Sequence, residues 1–468
     1  MWGSRFAFVL AAAGSAIGLG NIWRFPVSVS EGGGGAFLLV YLLCVVVVAL
    51  PVMLAEMVVG RAGEKNPVGA LQHLRPGTRW YYVGMLGVLT GVIILSFYRV
   101  IAGWTVYYFV QSAIGKFTPD TDTAAVFEHM ASNAGIELVF HAIFMVATIL
   151  VVAAGVKRGI ERTIKILMPM FFVLLVVLMI RAVSLPGAAE GLTFYLRPDF
   201  SQLTGVVWLG ALGQAFFSLS LGMGVMITYG SYLAKRENLP SSAGMVAGAD
   251  TLIAVLAGLI IFPAIFFAGM AEVRAGPALV FIALPQVFAE MPWAPWGGIL
   301  FGSAFFLLLA VAALTSAISL LEVVVAHMVD DWGWARKKAA WLVGVGIYLV
   351  GIPSALSFGA VGYFSDLPVI GGSFLGLMDG IAEYTLILGG LGLAVFVGWI
   401  WGLKHALDEI RHGTPEFKLA ALWSPLLRFV APIAIAVILT TQIYSQFFAT
   451  ESGENDGAPA AEEQADED

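Results

Sequence analysis

Three glycines fall within seven residues of an apolar segment near the start of the chain, in the stretch Gly14 to Asn21. Each glycine costs a helix interior about 1 kcal/mol relative to alanine, so this stretch predicts a broken helix. Irregular backbone at membrane depth persists only where protein or a wet cavity satisfies its freed N–H and C=O groups. The freed carbonyl oxygens can bind a cation, and the helix ends can bind charged groups of a ligand.

A second glycine-interrupted segment lies about 200 residues later, from Phe217 to Gly224. Five apolar segments separate the starts of the two interrupted segments, and an odd number inverts the topology. The first five and the next five segments therefore indicate an inverted repeat. Two interrupted helices at matching positions are the best sequence indication of a transporter's central site.

The composition indicates what must position these residues. The 468-residue chain is 59% hydrophobic and only 12% charged, whereas soluble domains average about 25% charged residues. We therefore expect an all-α polytopic membrane protein with 11 transmembrane helices. Apolar stretches long enough to cross a bilayer lie at residues 6–29, 34–60, 81–114, 137–155, 162–184, 204–234, 243–271, 297–329, 337–357, 373–403 and 421–448.

The same stretches predict the domain organisation. Residues 1–448 form a single transmembrane domain, in which repeat one covers about 6–184, repeat two about 204–403, and an extra helix 421–448. Residues 449–468 carry eight acidic side chains and no lysine or arginine, which predicts a disordered acidic tail. Cys44 is the one cysteine, so no internal disulfide can form.

Lysine and arginine cluster in alternate loops, within residues 61–79, 157–162, 235–236, 336–338 and 404–418. The positive-inside rule places these loops and the N-terminus in the cytoplasm and the acidic tail outside. We expect the protein in the inner (plasma) membrane of a prokaryotic cell, as a monomer or weak dimer that binds no nucleic acid.

Two charged residues interrupt apolar segments. Asp250 lies where a carboxylate costs about 2.5–3.5 kcal/mol at mid-bilayer, which favours an ion ligand over an acid at an interfacial helix start. Arg99 lies in the middle of the third segment and is expected to pair with Glu322 or Glu383, or to extend along its helix towards water.

Several motifs together resemble one known family. Trp2 to Arg5, Ala13 to Pro26 and Gly33 to Phe37 resemble the first-span signature of the neurotransmitter:sodium symporter family. Pro51 to Gly60, Phe217 to Gly224 and Ala312 to Ser316 match the family in spans 2, 6 and 8. The resemblance covers residues 1–448 and is closest to the prokaryotic eleven-helix amino-acid branch. It implies the leucine-transporter fold and sodium-coupled import of an amino acid by alternating access.

The resemblance implies two Na⁺ sites, and Na⁺ prefers oxygen ligands. The first would use the Ala16 carbonyl with Asn21, Ser218 and Asp250, and the carboxylate of the substrate would complete it. The second would use Gly14, Ile17, Ala312, Thr315 and Ser316. Many relatives that need chloride carry a neutral asparagine at Asp250 and a serine at Ala254, so we expect no chloride requirement.

The implied substrate site lies between the two interrupted helices. The substrate's carboxylate would meet the amides near Leu19 and Gly20 and the Tyr98 hydroxyl. Its uncharged walls disfavour charged side chains, and the pliable Met223 favours large apolar or aromatic ones. The expected substrate-binding residues are Ser15, Ala16, Gly18, Leu19, Gly20, Ile94, Tyr98, Phe217, Ser218, Ser220, Met223, Ser316 and Leu320.

The resemblance also implies two gates. Outside, Arg24 would pair with Asp379 above a lid of Tyr98 and Phe217. Inside, Asp330 and Tyr232 match the cytoplasmic gate, and Arg5 is the arginine available there.

Gly159 and Pro169 resemble the family's element that lets span 5 unwind and hydrate the second Na⁺. The alternative interpretation of this pair is an ordinary proline kink.

Other functions remain open at this point. Asp250 could bind a proton instead of Na⁺ in a proton-coupled amino-acid transporter, and a non-transporting amino-acid receptor could keep the same fold. An intramembrane enzyme would need a nucleophile–base pair or metal ligands in the spans, and the sequence shows neither pattern.

Overall fold

The computed structural model describes residues 2–267, 279–290, 296–368 and 371–447, and these are predominantly helical. The first half of the chain contains α1 (Arg5–Ala16), α2 (Gly20–Glu31), α3 (Gly35–Gly63), α4 (Pro67–Leu74), α5 (Tyr81–Ala113), α6 (Thr123–Ala131), α7 (Ala134–Ala153), α8 (Val156–Val183) and α9 (Ala188–Leu196). The second half contains α10 (Gly205–Ser218), α11 (Val225–Ser231), α12 (Leu239–Phe267), α13 (Leu284–Ala289), α14 (Trp296–Asp330), α15 (Arg336–Ala355), α16 (Gly362–Ser365), α17 (Phe374–Ile400), α18 (Leu403–Gly413) and α19 (Ala420–Thr441).

Nine helices of the described ranges are long and apolar enough to cross a membrane, and α1 with α2 makes a tenth span that is bent by 49°. The expected class, an all-α polytopic membrane protein, is confirmed. Helices α10 and α11 correspond to the second interrupted segment, and each is too short to cross alone. The total of eleven crossings and the inverted repeat stay predictions.

Some boundaries differ from the expected ones. The tenth apolar stretch ends at Ile400 instead of residue 403, because Gly402 has φ +97° and turns the chain into α18. The short helices α4, α6 and α9 were not predicted, since their apolar stretches are too short to span. The expected end of span 7 at 268–271 and the acidic tail at 449–468 lie outside the described residues.

The longest helices, α5 and α14, pack along each other through the centre of the protein. Helices α1 and α8 pack against α14, while α11 packs against α3. The last contact depends on Gly60, because a Cβ there would lie 2.0 Å from the Ile227 carbonyl oxygen. Glycine thus lets the backbones of α3 and α11 touch, and this holds the second interrupted helix beside α3.

Candidate functional site

The first break separates α1 from α2 over three residues, Ile17 to Leu19. Ile17 adopts an extended conformation with ψ 102°, and the helix does not resume until Gly20. Two of the freed amides are satisfied by side chains. Gly18 N–H donates to Asn21 Oδ1 at 3.0 Å, and Leu19 N–H donates to the Tyr98 hydroxyl at 3.2 Å.

The second break separates α10 from α11 over residues 219–224. Ser220, Gly222 and Gly224 all have positive φ, between 53° and 78°. A buried carboxylate stabilises this turn, since Gly222 N–H donates to Glu56 Oε1 at 2.7 Å. The second break touches the last turn of α1, just before the first break, because the Ser220 hydroxyl donates to the Ser15 carbonyl at 3.2 Å.

A buried polar cluster joins the two breaks to α12. Asn21 Nδ2 and the Ser218 hydroxyl donate to the Asp250 carboxylate at 2.7 Å and 2.8 Å, and the Tyr41 hydroxyl lies 3.5 Å from it. Asn21, Asp250 and Tyr41 are 0% exposed. The Asp250 carboxylate and the Ser218 hydroxyl supply oxygens of the kind that Na⁺ prefers, whereas Asn21 turns its Nδ2 towards them and its Oδ1 towards the Gly18 N–H. The structure therefore brings together three of the side chains expected at the first Na⁺ site.

A central cavity of about 30 Å³ lies beside this cluster and between the breaks. Twelve of the thirteen expected substrate-binding residues line it, and Leu19 lines a neighbouring cavity. Sequence reasoning missed one lining residue, Ser319, whose hydroxyl lies 2.6 Å from that of Ser15. Its position one turn after Ser316 on the same face of α14 was the available signal.

The end of the cavity near Leu19 suits a carboxylate. The Leu19 amide and the Tyr98 hydroxyl meet there, and both are strong donors once they are free of each other. Gly18 is required for this approach, because a Cβ there would lie 2.6 Å from the Ser316 hydroxyl oxygen and 3.0 Å from that of Tyr98.

Of the residues expected at the second Na⁺ site, Gly14, Ala312 and Thr315 lie together. A Cβ at Gly14 would lie 3.5 Å from Thr315 Cβ and 3.2 Å from Met168 of α8, so α1, α8 and α14 meet here. The Thr315 hydroxyl donates to the Ala312 carbonyl of its own helix at 2.9 Å, whereas the Ser316 hydroxyl crosses to the Ser15 carbonyl at 3.0 Å.

Helix α8 is continuous through Pro169. Gly159 lies in its first, π-helical turn, so span 5 is wound in this structure. The proposed unwinding between Gly159 and Pro169 stays a prediction.

A larger cavity of about 180 Å³ lies on the other side of Tyr98 and Phe217, which line both cavities. Arg24 and Asp379 line the larger cavity. The expected ion pair between Arg24 and Asp379 is nevertheless wrong, because the carboxylate that pairs with Arg24 is that of Glu383, at 3.2 Å. Glu383 lies one helical turn beyond Asp379 on the same face of α17.

Arg24 also covers the lid over the central cavity. Its guanidinium carbon lies 4.7 Å from the centre of the Phe217 ring. The ring approaches the first break closely, since a Cβ at Gly20 would lie 3.0 Å from it.

The expected inner-gate residues have partners other than each other. The Tyr232 hydroxyl donates to Glu322 at 2.7 Å, and Glu322 forms an ion pair with Arg336. Asp330 accepts the Asn66 amide at 3.0 Å, and Arg5 donates to Ser242 at 3.1 Å. Arg5 therefore does not pair with Asp330 or Tyr232. The N-terminal segment still closes this side, because the Trp2 backbone N–H and indole bond to α11 and its C-cap.

Arg99 pairs with neither carboxylate named for it. Its Nε donates to the Leu95 carbonyl at 2.7 Å and its Nη2 to the Ile347 carbonyl at 2.8 Å. Glu322 is held by Arg336 and Glu383 by Arg24. Arg99 is 0% exposed, so its side chain does not extend to water either.

Two interrupted membrane helices that enclose an oxygen-rich cluster define a membrane transporter with a central ion and solute site. Comparison with known proteins identifies the family of transporters to which the chain belongs. Residues 1–121 and 121–453 match a family profile described as "Sodium:neurotransmitter symporter family". The chain belongs to this family, and it is therefore a sodium-dependent transporter and not an enzyme.

Individual relatives agree over nearly the whole length. The chain is 39% identical over 446 residues to the uncharacterized sodium-dependent transporter YhdH of Bacillus subtilis (strain 168), covering 94% of this chain and 97% of that one. A sodium-dependent transporter of Haemophilus influenzae is 37% identical, with 95% and 98% covered. The crystal structure of MhsT in complex with L-phenylalanine matches with a TM-score of 0.86 at 46% identity, covering 94% and 99%. The likeness to MhsT confirms the leucine-transporter fold.

Proposed function

We propose that the protein imports an amino acid with a large apolar or aromatic side chain, driven by Na⁺ and by alternating access. The observation that carries this proposal is the contact between the Asp250 cluster and the central cavity. Asn21 and Ser218 lie next to the two breaks and bind Asp250 directly, so an ion there lies beside whatever fills the cavity. The bound L-phenylalanine of MhsT supports an amino-acid substrate of this kind.

The proposed coupling is electrostatic and reciprocal. A substrate carboxylate at Leu19 and Tyr98 becomes an oxygen ligand of the Na⁺ held by Ala16, Asn21, Ser218 and Asp250. Each bound species then improves the site of the other by the same factor. The substrate amine would meet carbonyls of the two breaks, at Ala16, Phe217 and Ser220.

The side-chain pocket must widen for a large substrate. A cavity of about 30 Å³ has room for about two water molecules, which is less than a phenyl ring needs. Met223 is the wall suited to move, because a methionine side chain is flexible even where the backbone around it is fixed. The hydroxyls of Ser15, Ser220, Ser316 and Ser319 are already bonded to the backbone or to each other, and that of Ser218 is bonded to Asp250. This leaves a mainly apolar contact surface.

The remaining parts of the proposal concern ions and topology. Gly14, Ile17, Ala312, Thr315 and Ser316 form the second Na⁺ site. The fixed carboxylate of Asp250 replaces chloride, so transport needs none. The protein lies in the inner membrane with a cytoplasmic N-terminus and an external acidic tail.

Uptake into proteoliposomes tests the proposal. Radiolabelled L-phenylalanine is offered with an inward Na⁺ gradient, with K⁺ in place of Na⁺, and with gluconate in place of chloride, all at one fixed pH. We expect concentrative uptake with Na⁺ alone and equal rates with either anion. Uptake in K⁺ that follows a proton gradient would identify a proton-coupled transporter, and binding without flux would identify a receptor. Loss of uptake in gluconate would refute chloride independence.

A competition series then tests the substrate class. Unlabelled glycine, alanine, serine, leucine, phenylalanine and tryptophan compete with the label. We expect leucine, phenylalanine and tryptophan to compete best; best competition by glycine, alanine or serine would show that the pocket keeps its present size.

A further inference from the structure

Arg428 of α19 is a cation at the outer surface of the helix bundle, where α19 packs against α17. Its Nε is buried and has no hydrogen-bond partner in the described part of the chain. The ion pairs formed by the described residues do not include Arg428 either. Because its Nη1 and Nη2 are not buried in the protein, the end of the side chain can bind a group outside the bundle.

Two aromatic rings hold the guanidinium in place. Its carbon lies 4.3 Å from the centre of the Trp399 ring and 5.6 Å from that of the Phe429 ring. Trp399 is anchored in turn, because its indole N–H donates to the Arg428 carbonyl at 3.1 Å. The aromatic faces attract the cation, but they do not supply the negative charge that would neutralise it.

The surface around Arg428 is apolar and faces the lipid. Trp399 and Phe429 are exposed, and so are Leu422 and Ile433, which precede and follow Arg428 along α19. A charged side chain among them is costly unless its end reaches the membrane interface. Trp399 lies one residue before the end of α17, and tryptophan is typical of the height of the lipid headgroups. The guanidinium beside Trp399 is therefore within reach of a headgroup.

The surrounding helices provide no counter-charge for Arg428. Residues 384–400 of α17 and 420–441 of α19 contain neither aspartate nor glutamate. Helix α3 also packs against this turn of α19, and its one acidic residue, Glu56, is already engaged at the second break. The negative charge that neutralises Arg428 must therefore come from outside the protein.

We infer that Arg428 binds the phosphate of an anionic phospholipid, in the leaflet on the side of the loop 61–79. Nη1 and Nη2 donate to two phosphate oxygens, which is the bidentate geometry that arginine favours. Arg75 donates to the Ile400 carbonyl at 2.8 Å, next to Trp399. This second cation favours a headgroup with a net negative charge over a zwitterionic one. Neither Arg428 nor Trp399 lines the central cavity, so this inference does not rest on the proposed function.

Competitive lipid binding tests the site. The purified, delipidated protein is offered phosphatidylglycerol and phosphatidylcholine with identical acyl chains, and native mass spectrometry counts the bound lipids. We expect the wild type to bind phosphatidylglycerol preferentially and Arg428→Gln to lose roughly fivefold of this preference. Arg79→Gln, which removes an exposed arginine of the loop 61–79, should keep it. Equal preference in Arg428→Gln and the wild type would overturn the inference.

Trp399→Leu separates a defined site from general attraction between charges. This variant loses the aromatic ring but keeps an apolar side chain and every cation. The preference for phosphatidylglycerol should fall although the net charge is the same, because the guanidinium is no longer held in place. An unchanged preference would show that the lipid is attracted only by the overall positive charge of this side, and the inference would be wrong.

Photocrosslinking locates the lipid on the wild type without any variant. A phosphatidylglycerol with a diazirine next to its phosphate should crosslink to peptides that contain Trp399 or Phe429, and crosslinks found only elsewhere would refute the site. Inorganic phosphate that displaced the lipid at equal concentration would overturn the lipid assignment in favour of a free anion. Na⁺-dependent binding of L-phenylalanine by Arg428→Gln is a separate readout and should equal that of the wild type, so failure of the lipid site is distinguishable from failure of the transport proposal.

Discussion

The two interrupted helices leave the α-helical conformation by different means. At the first break, Ile17 and Leu19 keep negative φ, and side chains of Asn21 and Tyr98 take up the freed amides. At the second break, Ser220, Gly222 and Gly224 have positive φ. There the backbone packs against α17, where a Cβ at Gly222 would lie 2.0 Å from the Leu386 carbonyl oxygen.

This difference indicates that the first break binds the ligands and that the second break fixes the geometry of the site. Side-chain partners can be exchanged for a ligand without moving the backbone, so the first break is suited to bind the substrate carboxylate and Na⁺. The second break also has a side-chain partner, Glu56, but its positive-φ Gly222 is packed against the backbone of α17, so this turn cannot adapt in this way. The second break therefore sets the geometry in which Ser218 and Phe217 face the first break.

Gly222→Ala should have the largest effect, because it changes a glycine on which the rigid second break depends. A left-handed conformation costs a non-glycine residue about 1–3 kcal/mol, and the new Cβ also meets backbone atoms of α17 that cannot move aside. We expect loss of monodisperse, cooperatively melting protein. Gly248→Ala is the matched control, since a Cβ there meets nothing within 4 Å. If Gly222→Ala melted like the wild type, the second break would not be rigid.

Asn21→Ala should have the next largest effect, on binding instead of folding. It removes a hydrogen bond to a buried carboxylate, which is worth about 1.5–3 kcal/mol. The Na⁺ concentration for half-maximal L-phenylalanine binding should rise about 10–100-fold, as measured by scintillation proximity. Asn133→Ser, which changes an exposed helix N-cap to another good cap residue, should leave it unchanged. An unchanged Na⁺ requirement in Asn21→Ala would show that Asn21 is not part of the first Na⁺ site.

Tyr98→Phe should weaken the substrate with little change in Na⁺ affinity. The variant loses the hydroxyl at Leu19 but keeps the ring of the lid, so affinity for L-phenylalanine should fall by about 1 kcal/mol, or roughly fivefold. The Tm should stay near that of the wild type. Tyr82→Phe alters an exposed tyrosine of the same helix and serves as the control. Equal affinities in the two variants would contradict a carboxylate position at Tyr98.

Ser220 offers the smallest but sharpest comparison within the second break. Ser220→Ala loses the hydrogen bond to Ser15 and keeps the positive φ, whereas Ser220→Gly loses the bond but relieves the φ. The glycine variant should be more stable than the alanine variant by about 1 kcal/mol. Thermal melts of the two variants measure this difference. Equal melting would show that strain at Ser220 is not significant.

The sequence predicted most of the cavity lining, because its residues lie in contiguous motifs around the breaks. It predicted the position of the first break less well. Gly14 lies inside α1 and Gly20 begins α2, so only Gly18 of the three glycines is in the break. A helix can break over a single turn when side chains such as Asn21 and Tyr98 accept hydrogen bonds from its free amides. The number of glycines in a segment does not reveal such acceptors.

Pairing between distant charges was harder to predict than proximity along a motif. Asp379 and Glu383 occupy one face of α17, so position in the sequence does not distinguish them, and the ion pair with Arg24 forms at Glu383. The partner of Arg99 was sought among carboxylates, whereas the structure uses backbone carbonyls of α5 and α15. The sequence does not indicate which backbone carbonyls will accept these hydrogen bonds.

Binding of radioactive ²²Na⁺ to the purified protein tests the central claim, that Na⁺ and the substrate share one site between the breaks. Sodium affinity is measured with and without saturating unlabelled L-phenylalanine, in a K⁺ background. The account predicts that L-phenylalanine raises the apparent Na⁺ affinity by the same factor by which Na⁺ raises the affinity for L-phenylalanine. Sodium binding that is indifferent to L-phenylalanine, or L-phenylalanine binding that is as strong in K⁺ alone, would contradict it.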